Sequence, residues 1–257
     1  MDDDVNQLAM THRLPRARVV NRIEYLTELA AGKRVVHIGF ADAGFASMQE
    51  ASGTWLHGHL AQVAAYLVGV DVDEAGVAEA RRRGFEAYAV DCRRPDAIRA
   101  LGLPPADLVI AGEVIEHLDE PGPFLDGVHA FLAPDRGELA VTTPNASGIL
   151  NGFAALVGYE INHPDHVMMY SWRTLENLLA RHGWEIVATR TFVPTIKRYH
   201  NKGVKMRVLA GGVRTVLWAE RTIGRMWAPY VSDGLIVVTR QTSSAGESSR
   251  DSSRSTS

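Results

Sequence analysis

Val35-Val36-His37-Ile38-Gly39-Phe40-Ala41-Asp42-Ala43-Gly44 passes from an apolar run into a turn of small residues, and Leu67-Val68-Gly69-Val70-Asp71-Val72-Asp73 passes from a second apolar run into acids. Both runs are short, rich in β-branched residues and bounded by turn formers, as strands buried on both faces are. The first ends where glycines allow tight backbone geometry and exposed amides can hold a carboxylate or phosphate. The second ends in Asp71, placed to take two ribose hydroxyls. A third run ends at Ala89-Val90-Asp91-Cys92, where Asp91 can accept a bond from an adenine amino group. Each feature alone has a structural explanation as a turn or a helix cap. The three in order, at successive strand ends, point to a nucleoside-containing cofactor at the edge of a parallel sheet.

Outward from these runs, strand and helix signals alternate. Strands are expected at 34–38, 66–71, 86–90, 107–111, 137–143 and 185–193, with a last one at 234–239; helices are expected at 19–31, 55–65, 74–83, 122–132 and 172–182. Such alternation implies βαβ units. Asp73 and Ser171 read as N-caps, Gly32, Gly84 and Gly183 as helix stops, and Tyr170 with Leu175 as a hydrophobic staple.

At 257 residues, 46% hydrophobic and 22% charged, the chain is long enough for one sizeable domain with insertions. A net charge of -3 gives no argument for a nucleic-acid partner. The single cysteine, Cys92, excludes an internal disulfide and fits a reducing, cytoplasmic location. Met1-Asp2-Asp3-Asp4 does not open a signal peptide, and no run approaches the roughly 20 apolar residues of a membrane span.

Further motifs complete a family pattern. Ala106-Asp107-Leu108-Val109-Ile110-Ala111-Gly112-Glu113-Val114-Ile115-Glu116-His117-Leu118 is followed by Pro121-Gly122-Pro123-Phe124-Leu125 and Val141-Thr142-Thr143-Pro144-Asn145. With the strand ends above, the chain resembles the class I S-adenosylmethionine-dependent methyltransferases over about residues 33–193, and within them the small-molecule, ubiquinone-biosynthesis-like branch. The resemblance implies a Rossmann-like α/β fold: a doubly wound, mostly parallel seven-stranded sheet with an antiparallel last strand, here with a helical insert before it. It implies S-adenosyl-L-methionine as cofactor, with His37, Gly39, Ala41 and Gly44 toward its methionine part, Asp71 and Val72 at the ribose, Asp91 and Cys92 flanking adenine, and Glu113 touching cofactor or acceptor. His37 stands where the family usually has an acid, and Ala41 and Ala43 where it has glycines. The added methyls are expected to crowd the cofactor, with Gly44 compensating by one residue of slippage. The stretch 45–53 is a surplus over the family spacing, either a surface loop or a flap.

Methyl transfer from a sulfonium is an in-line displacement that chiefly needs alignment and exclusion of water. A hydroxyl acceptor also needs a base. Glu113, Glu116 and His117 follow the fourth strand of the pattern; His117 either serves as base or fixes the loop. Asn162-His163-Pro164-Asp165-His166 forms a second cluster, in which His166 is the first candidate for the base and Asp165 or His163 its orienting partner. The alternative is a loop that caps the next helix. The short spacing of His163, Asp165 and His166 also admits a divalent ion, but no resident metal is expected. Phe153, Leu156, Tyr159, Met168, Met169 and Tyr170 are expected to shape an apolar acceptor pocket.

The domain is expected to span 19–242, after a loose segment 1–18 and before a serine-rich tail 243–257 unable to order itself. Its insert, 194–231, carries Lys197, Arg198, Lys202, Lys205, Arg207, Arg214, Arg221 and Arg225 against one acid, Glu220. A basic amphipathic helix there is either a solvated face, a contact with an anionic substrate or peripheral membrane through 197–225, or a homodimer contact. The expected activity is methylation of a small-molecule hydroxyl, with sugars, lipid-linked glycans and quinone-like phenols as candidate acceptors. The alternatives are a non-catalytic S-adenosylmethionine-binding scaffold and a nicotinamide-dependent oxidoreductase.

Overall fold

Pairing of the two opening apolar runs sets the architecture. In the computed structural model, which describes residues 11–41, 53–134, 136–156, 158–194, 215–218 and 221–242, they form β2 (Arg34–Ile38) and β3 (Tyr66–Asp71), parallel and in register from Arg34↔Tyr66 to Ile38↔Val70. The remaining strands are β1 (Val19–Val20), β4 (Ala87–Ala89), β5 (Leu108–Gly112), β6 (Glu138–Pro144), β7 (Trp184–Phe192) and β8 (Gly234–Gln241). They make one eight-stranded sheet in the order β1-β7-β8-β6-β5-β2-β3-β4. Only β8 runs against its neighbours, β6 and β7. The helices are α1 (Arg22–Ala30), α2 (Leu56–Leu60), α3 (Glu74–Arg82), α4 (Pro95–Ala100), α5 (Pro121–Val128), α6 (Ile149–Leu156) and α7 (Trp172–Arg181).

Alternation across the buried strands supplies two cores. Val36, Ile38, Val109, Ala111, Leu139 and Val141 face one side with Phe124 and Leu125 of α5 and Leu175 and Leu179 of α7. Val35, Leu108, Ile110 and Ala140 face the other, against Leu26 and Ala30 of α1 and Leu56 and Leu60 of α2. Strand order reverses between β2 and β5, and ligands of open α/β sheets bind beyond the strand carboxyl ends at such a point.

Seven strands and the antiparallel last one match the expectation. The eighth is β1, in a region expected to be helical from residue 19. Val19 and Val20, both β-branched, instead pair with Thr191 and Phe192 of β7. The helix starts only after Asn21, whose Oδ1 accepts the N–H groups of Ile23 and Glu24. Two helices had no sequence signal: α4 is six residues long with only Ile98 buried, too short to show a period. α6 lies in a stretch read only as pocket lining. Asp73 caps α3 by accepting from Ala75 N–H, and Ser171 with Thr174 forms a capping box on α7.

The insert 194–231 falls largely outside the described residues; 215–218 and 221–226 are helical. Segments 1–10 and 243–257 and the surplus 45–52 also fall outside. No helix among the described residues is long and apolar enough to cross a membrane.

Candidate active site

The tips of β2, β3, β4 and β5 carry the residues that the sequence singled out. Gly39, at the end of β2, has φ +73°, and a Cβ there would collide with Val114 Cγ2, so the turn and the segment after β5 are in van der Waals contact only because the side chain is absent. Phe40 turns inward onto Gly69. The Ala41 methyl is seated against Gly76 in the first turn of α3, which answers the expected crowding at that position. Ala43 and Gly44 lie outside the described residues.

Asp71 closes β3. Its Oδ2 accepts the Ala41 N–H at 3.0 Å and its Oδ1 the Asp73 N–H at 3.0 Å, so one carboxylate ties the first turn to the second. Each oxygen keeps a lone pair for a ligand hydroxyl. The next residue, Val72, is 71% exposed, an apolar surface standing free at the strand tip. Asp91, beyond β4, is held by Arg93 through Nε at 3.0 Å and Nη2 at 2.8 Å; this pairing holds its carboxyl below the usual range. The Cys92 side chain is buried in the main core, and burial pushes its thiol up to about 12. That corrects the expectation for Cys92: only its backbone remains available to an adenine edge.

His37 is corrected too. It is 3% exposed, and its Nδ1 lies 3.2 Å from Nδ1 of His57 on α2. Phe40, Trp55 and Phe85 surround the His57 ring. Burial holds His37 well below its ordinary value, aided by His57 and Arg22; burial, then Arg83, lowers His57 to about 3. The two neutral rings are an internal hydrogen-bonded pair rather than a contact to the cofactor's amino group.

After β5 the chain reverses at Glu113, whose φ of 57° makes it the one non-glycine in the left-handed region among the described residues. Backbone strain of this kind collects at functional sites. Glu113 Oε1 accepts the Thr142 hydroxyl at 2.8 Å and pairs with Arg22 Nη1 at 3.3 Å. Arg22, from the start of α1, also donates to Thr142 Oγ1 at 3.2 Å. Arg22 carries no local signal, because its partners are remote along the chain. Glu116 is fully buried. Burial, with Glu113 nearby, raises its carboxyl to about 8.

His117 and the 162–166 cluster, 48 residues apart between His117 and Asp165, meet at this edge. Glu116 O accepts the N–H groups of Val167 at 2.9 Å and Met168 at 3.2 Å, clamping the two segments together. The His117 ring stands 4.6 Å from that of His166 and 5.8 Å from that of His163. His117 Nδ1–H donates to Asp165 O at 3.1 Å. His166 Nδ1–H donates to Asn162 Oδ1 at 2.6 Å; that oxygen also accepts the His163 N–H. Its orienting partner is therefore Asn162, not Asp165 or His163, and the i,i+4 spacing of Asn162 and His166 was the available signal. His166 is held below its ordinary value by partial burial, then by His117 and His163, with Glu113 and Asp165 pulling the other way.

Phe153, Leu156, Tyr159 and Met168 are exposed, near the cluster in sequence, and Met168 Sδ accepts the Tyr170 hydroxyl. Tyr170 is buried and belongs to the core instead. A separate open cavity of about 1000 Å³ is lined by Arg13, Arg16, Arg18, Arg190, Trp227 and Tyr230 among others.

The strand tips suit a nucleoside sulfonium: a carboxylate with free lone pairs, a bare apolar side chain beside it, and a glycine turn that presents backbone. A family model for the methyltransferase domain matches residues 10–189, and the chain belongs to that family. It is an S-adenosylmethionine-dependent methyltransferase of class I, and S-adenosylmethionine is its cofactor. No curated protein matches it. Among solved structures it is similar to the small RNA methyltransferase HEN1, at 17% identity and TM-score 0.53 over 90% of this chain and 27% of that one. It is also similar to an S-adenosylmethionine-dependent methyltransferase from Archaeoglobus fulgidus, at 15% identity and TM-score 0.49 over 85% and 90%. A third is the S-adenosylmethionine-dependent methyltransferase from Mesorhizobium loti, at 18% identity and TM-score 0.49 over 85% and 95%.

Proposed function

We propose that the protein methylates a hydroxyl oxygen of a small-molecule acceptor. The observation that carries this reading is the cluster of His117, His163 and His166 beside Glu113 at the carboxyl end of β5. An amine acceptor that arrives neutral needs no base, whereas a hydroxyl must lose its proton.

When bound, S-adenosylmethionine supplies a methyl group already activated on a sulfonium. Asp71 would hold the ribose hydroxyls, Val72 the adenine face and the Gly39–Ala41 backbone the methionine end. Glu113, fixed by Arg22 and Thr142, orients the groups at the mouth of the crevice. His166, with Nδ1–H committed to Asn162, has its Nε2 lone pair free to accept the hydroxyl proton, and its lowered value keeps the ring neutral near pH 7. The exposed wall of Phe153, Leu156, Tyr159 and Met168 supports an acceptor with an apolar body. The arginine-lined cavity supports an anionic group on it.

The test is a screen of phenols, sugars and lipid-linked glycans with labelled S-adenosylmethionine. His166→Ala is expected to lower turnover on the best acceptor by about 10²–10⁴-fold, with cofactor affinity by calorimetry unchanged. Unchanged turnover refutes the role of His166, and label found only on nitrogen refutes the hydroxyl.

A further inference from the structure

Three imidazoles from two chain segments converge at the carboxyl edge of β5, and a hydrogen-bonded loop needs only one or two. One ring nitrogen from each of His117, His163 and His166 lies within 4.8 Å of the others. We propose that these three histidines bind one borderline divalent transition-metal ion, of the class of Zn²⁺.

The tautomers favour this. His117 Nδ1 faces a backbone carbonyl and His166 Nδ1 faces Asn162 Oδ1. Neither acceptor has a proton to give, so each ring carries its proton on Nδ1 and leaves the Nε2 lone pair free. His163 Nδ1 accepts the Asp165 N–H at 3.3 Å and lies 3.7 Å from Asp165 Oδ2. Ligation through Nε2 places the His163 proton on Nδ1, on the side of that carboxylate; a carboxylate partner on the second ring nitrogen fixes ring orientation and raises ligand basicity in metal sites.

The geometry is near what such an ion needs. Tetrahedral coordination at about 2.0–2.1 Å sets ligand nitrogens roughly 3.3–3.4 Å apart. Contraction by up to about 1.5 Å is within reach of ring rotation, because His117 and His163 are exposed. The backbone clamp from Glu116 O to Val167 and Met168 holds the two segments in place beforehand. An all-imidazole set selects zinc, cobalt, nickel or copper over magnesium or calcium. Three protein ligands leave a fourth position open. Resting on the function proposed above, that position takes the acceptor oxygen. With the ion bound, the cation acidifies the hydroxyl and its proton passes to bulk water, the His166 lone pair being a ligand; in the ion-free protein that lone pair keeps the base role given above.

The experiment uses the full chain after chelator treatment, titrated with Zn²⁺ by calorimetry and with Co²⁺ by visible absorption. Expected are one saturable equivalent and Co²⁺ d–d bands. Affinity should fall at least tenfold in His117→Ala and in His166→Ala, with wild-type binding in the control His59→Ala. Because an alanine variant can misfold, Co²⁺-induced shifts of histidine ring signals are also recorded on the wild type; they should fall on three of its ten histidines. The absence of a saturable equivalent, unchanged binding in the double variant, or shifts on other rings overturns the site. S-adenosylmethionine is titrated into the same samples. Zn²⁺ binding without cofactor binding removes the functional reading and keeps the site; cofactor binding without Zn²⁺ does the reverse.

Discussion

Replacing the buried histidine pair by His37→Leu with His57→Phe should make folding stability less sensitive to mild acid. In the native protein both rings stay neutral, His57 down to about pH 3 and His37 well below its ordinary value. In the unfolded chain both protonate near pH 6.5. Below that pH the unfolded state binds protons that the native state refuses, so the pair's contribution is intact above pH 6.5 and is lost as pH falls. Each ring loses about 1.4 kcal/mol per pH unit once fully engaged. Between pH 7 and 4.5 His57 alone loses roughly 2.5 kcal/mol, and His37 adds to the loss in the same direction, against the roughly 5–15 kcal/mol that holds a typical domain together. Arg22 faces His37 and Arg83 faces His57, and both oppose protonation. Asp91, Asp107 and Glu138 sit below their ordinary values, so their own losses come mainly at lower pH. Glu116, raised to about 8, works in the opposite direction through the same window, so the difference between the two proteins carries the test. Urea unfolding at half-unit steps from pH 7 to 4.5 should give a wild-type stability that falls by at least roughly 2.5 kcal/mol more than the variant's. Parallel curves would refute the neutral buried pair.

Other perturbations address the crevice directly. Asp71→Ala should weaken S-adenosylmethionine binding at least ~100-fold in calorimetry, since two charge-assisted hydrogen bonds at about 1.5–3 kcal/mol each are removed; unchanged affinity would place the ribose elsewhere. Gly39→Ala forces a side chain into the left-handed region, at about 1–2 kcal/mol, and against Val114. Its denaturation midpoint should drop, and adding Val114→Ala should recover only the part due to collision. A single variant as stable as the wild type would contradict the φ of +73°.

The sheet was legible because buried parallel strands are written as continuous apolar runs: β2 and β3 begin and end at the residues that their pattern marks. β1 was not, because two valines carry no period and their pairing with β7 lies across nearly the whole domain. Asp71 and Glu113 stand at the strand tips where motif order places them, while His37 shows what motif order omits. Its position in the motif is the family's, but the side chain that should replace it in the crevice is absent and the imidazole has found a buried partner in His57. The meeting of His117 with His163 and His166 is likewise a tertiary fact. The chain also yields no local sign of Arg22, whose hydrogen bond to Thr142 spans 120 residues.

That last reach has a consequence for biogenesis. A nascent chain can make the Gly39 turn and the Asp71 tip early, from neighbouring parallel strands. The guanidinium that steadies Glu113 lies ahead of nearly all of the sheet in chain order, yet its edge strand has no place to dock until β7 has emerged. The mouth of the crevice is thus finished last, and a ribosome-bound domain lacking β7 would present a cofactor cradle without its completed rim.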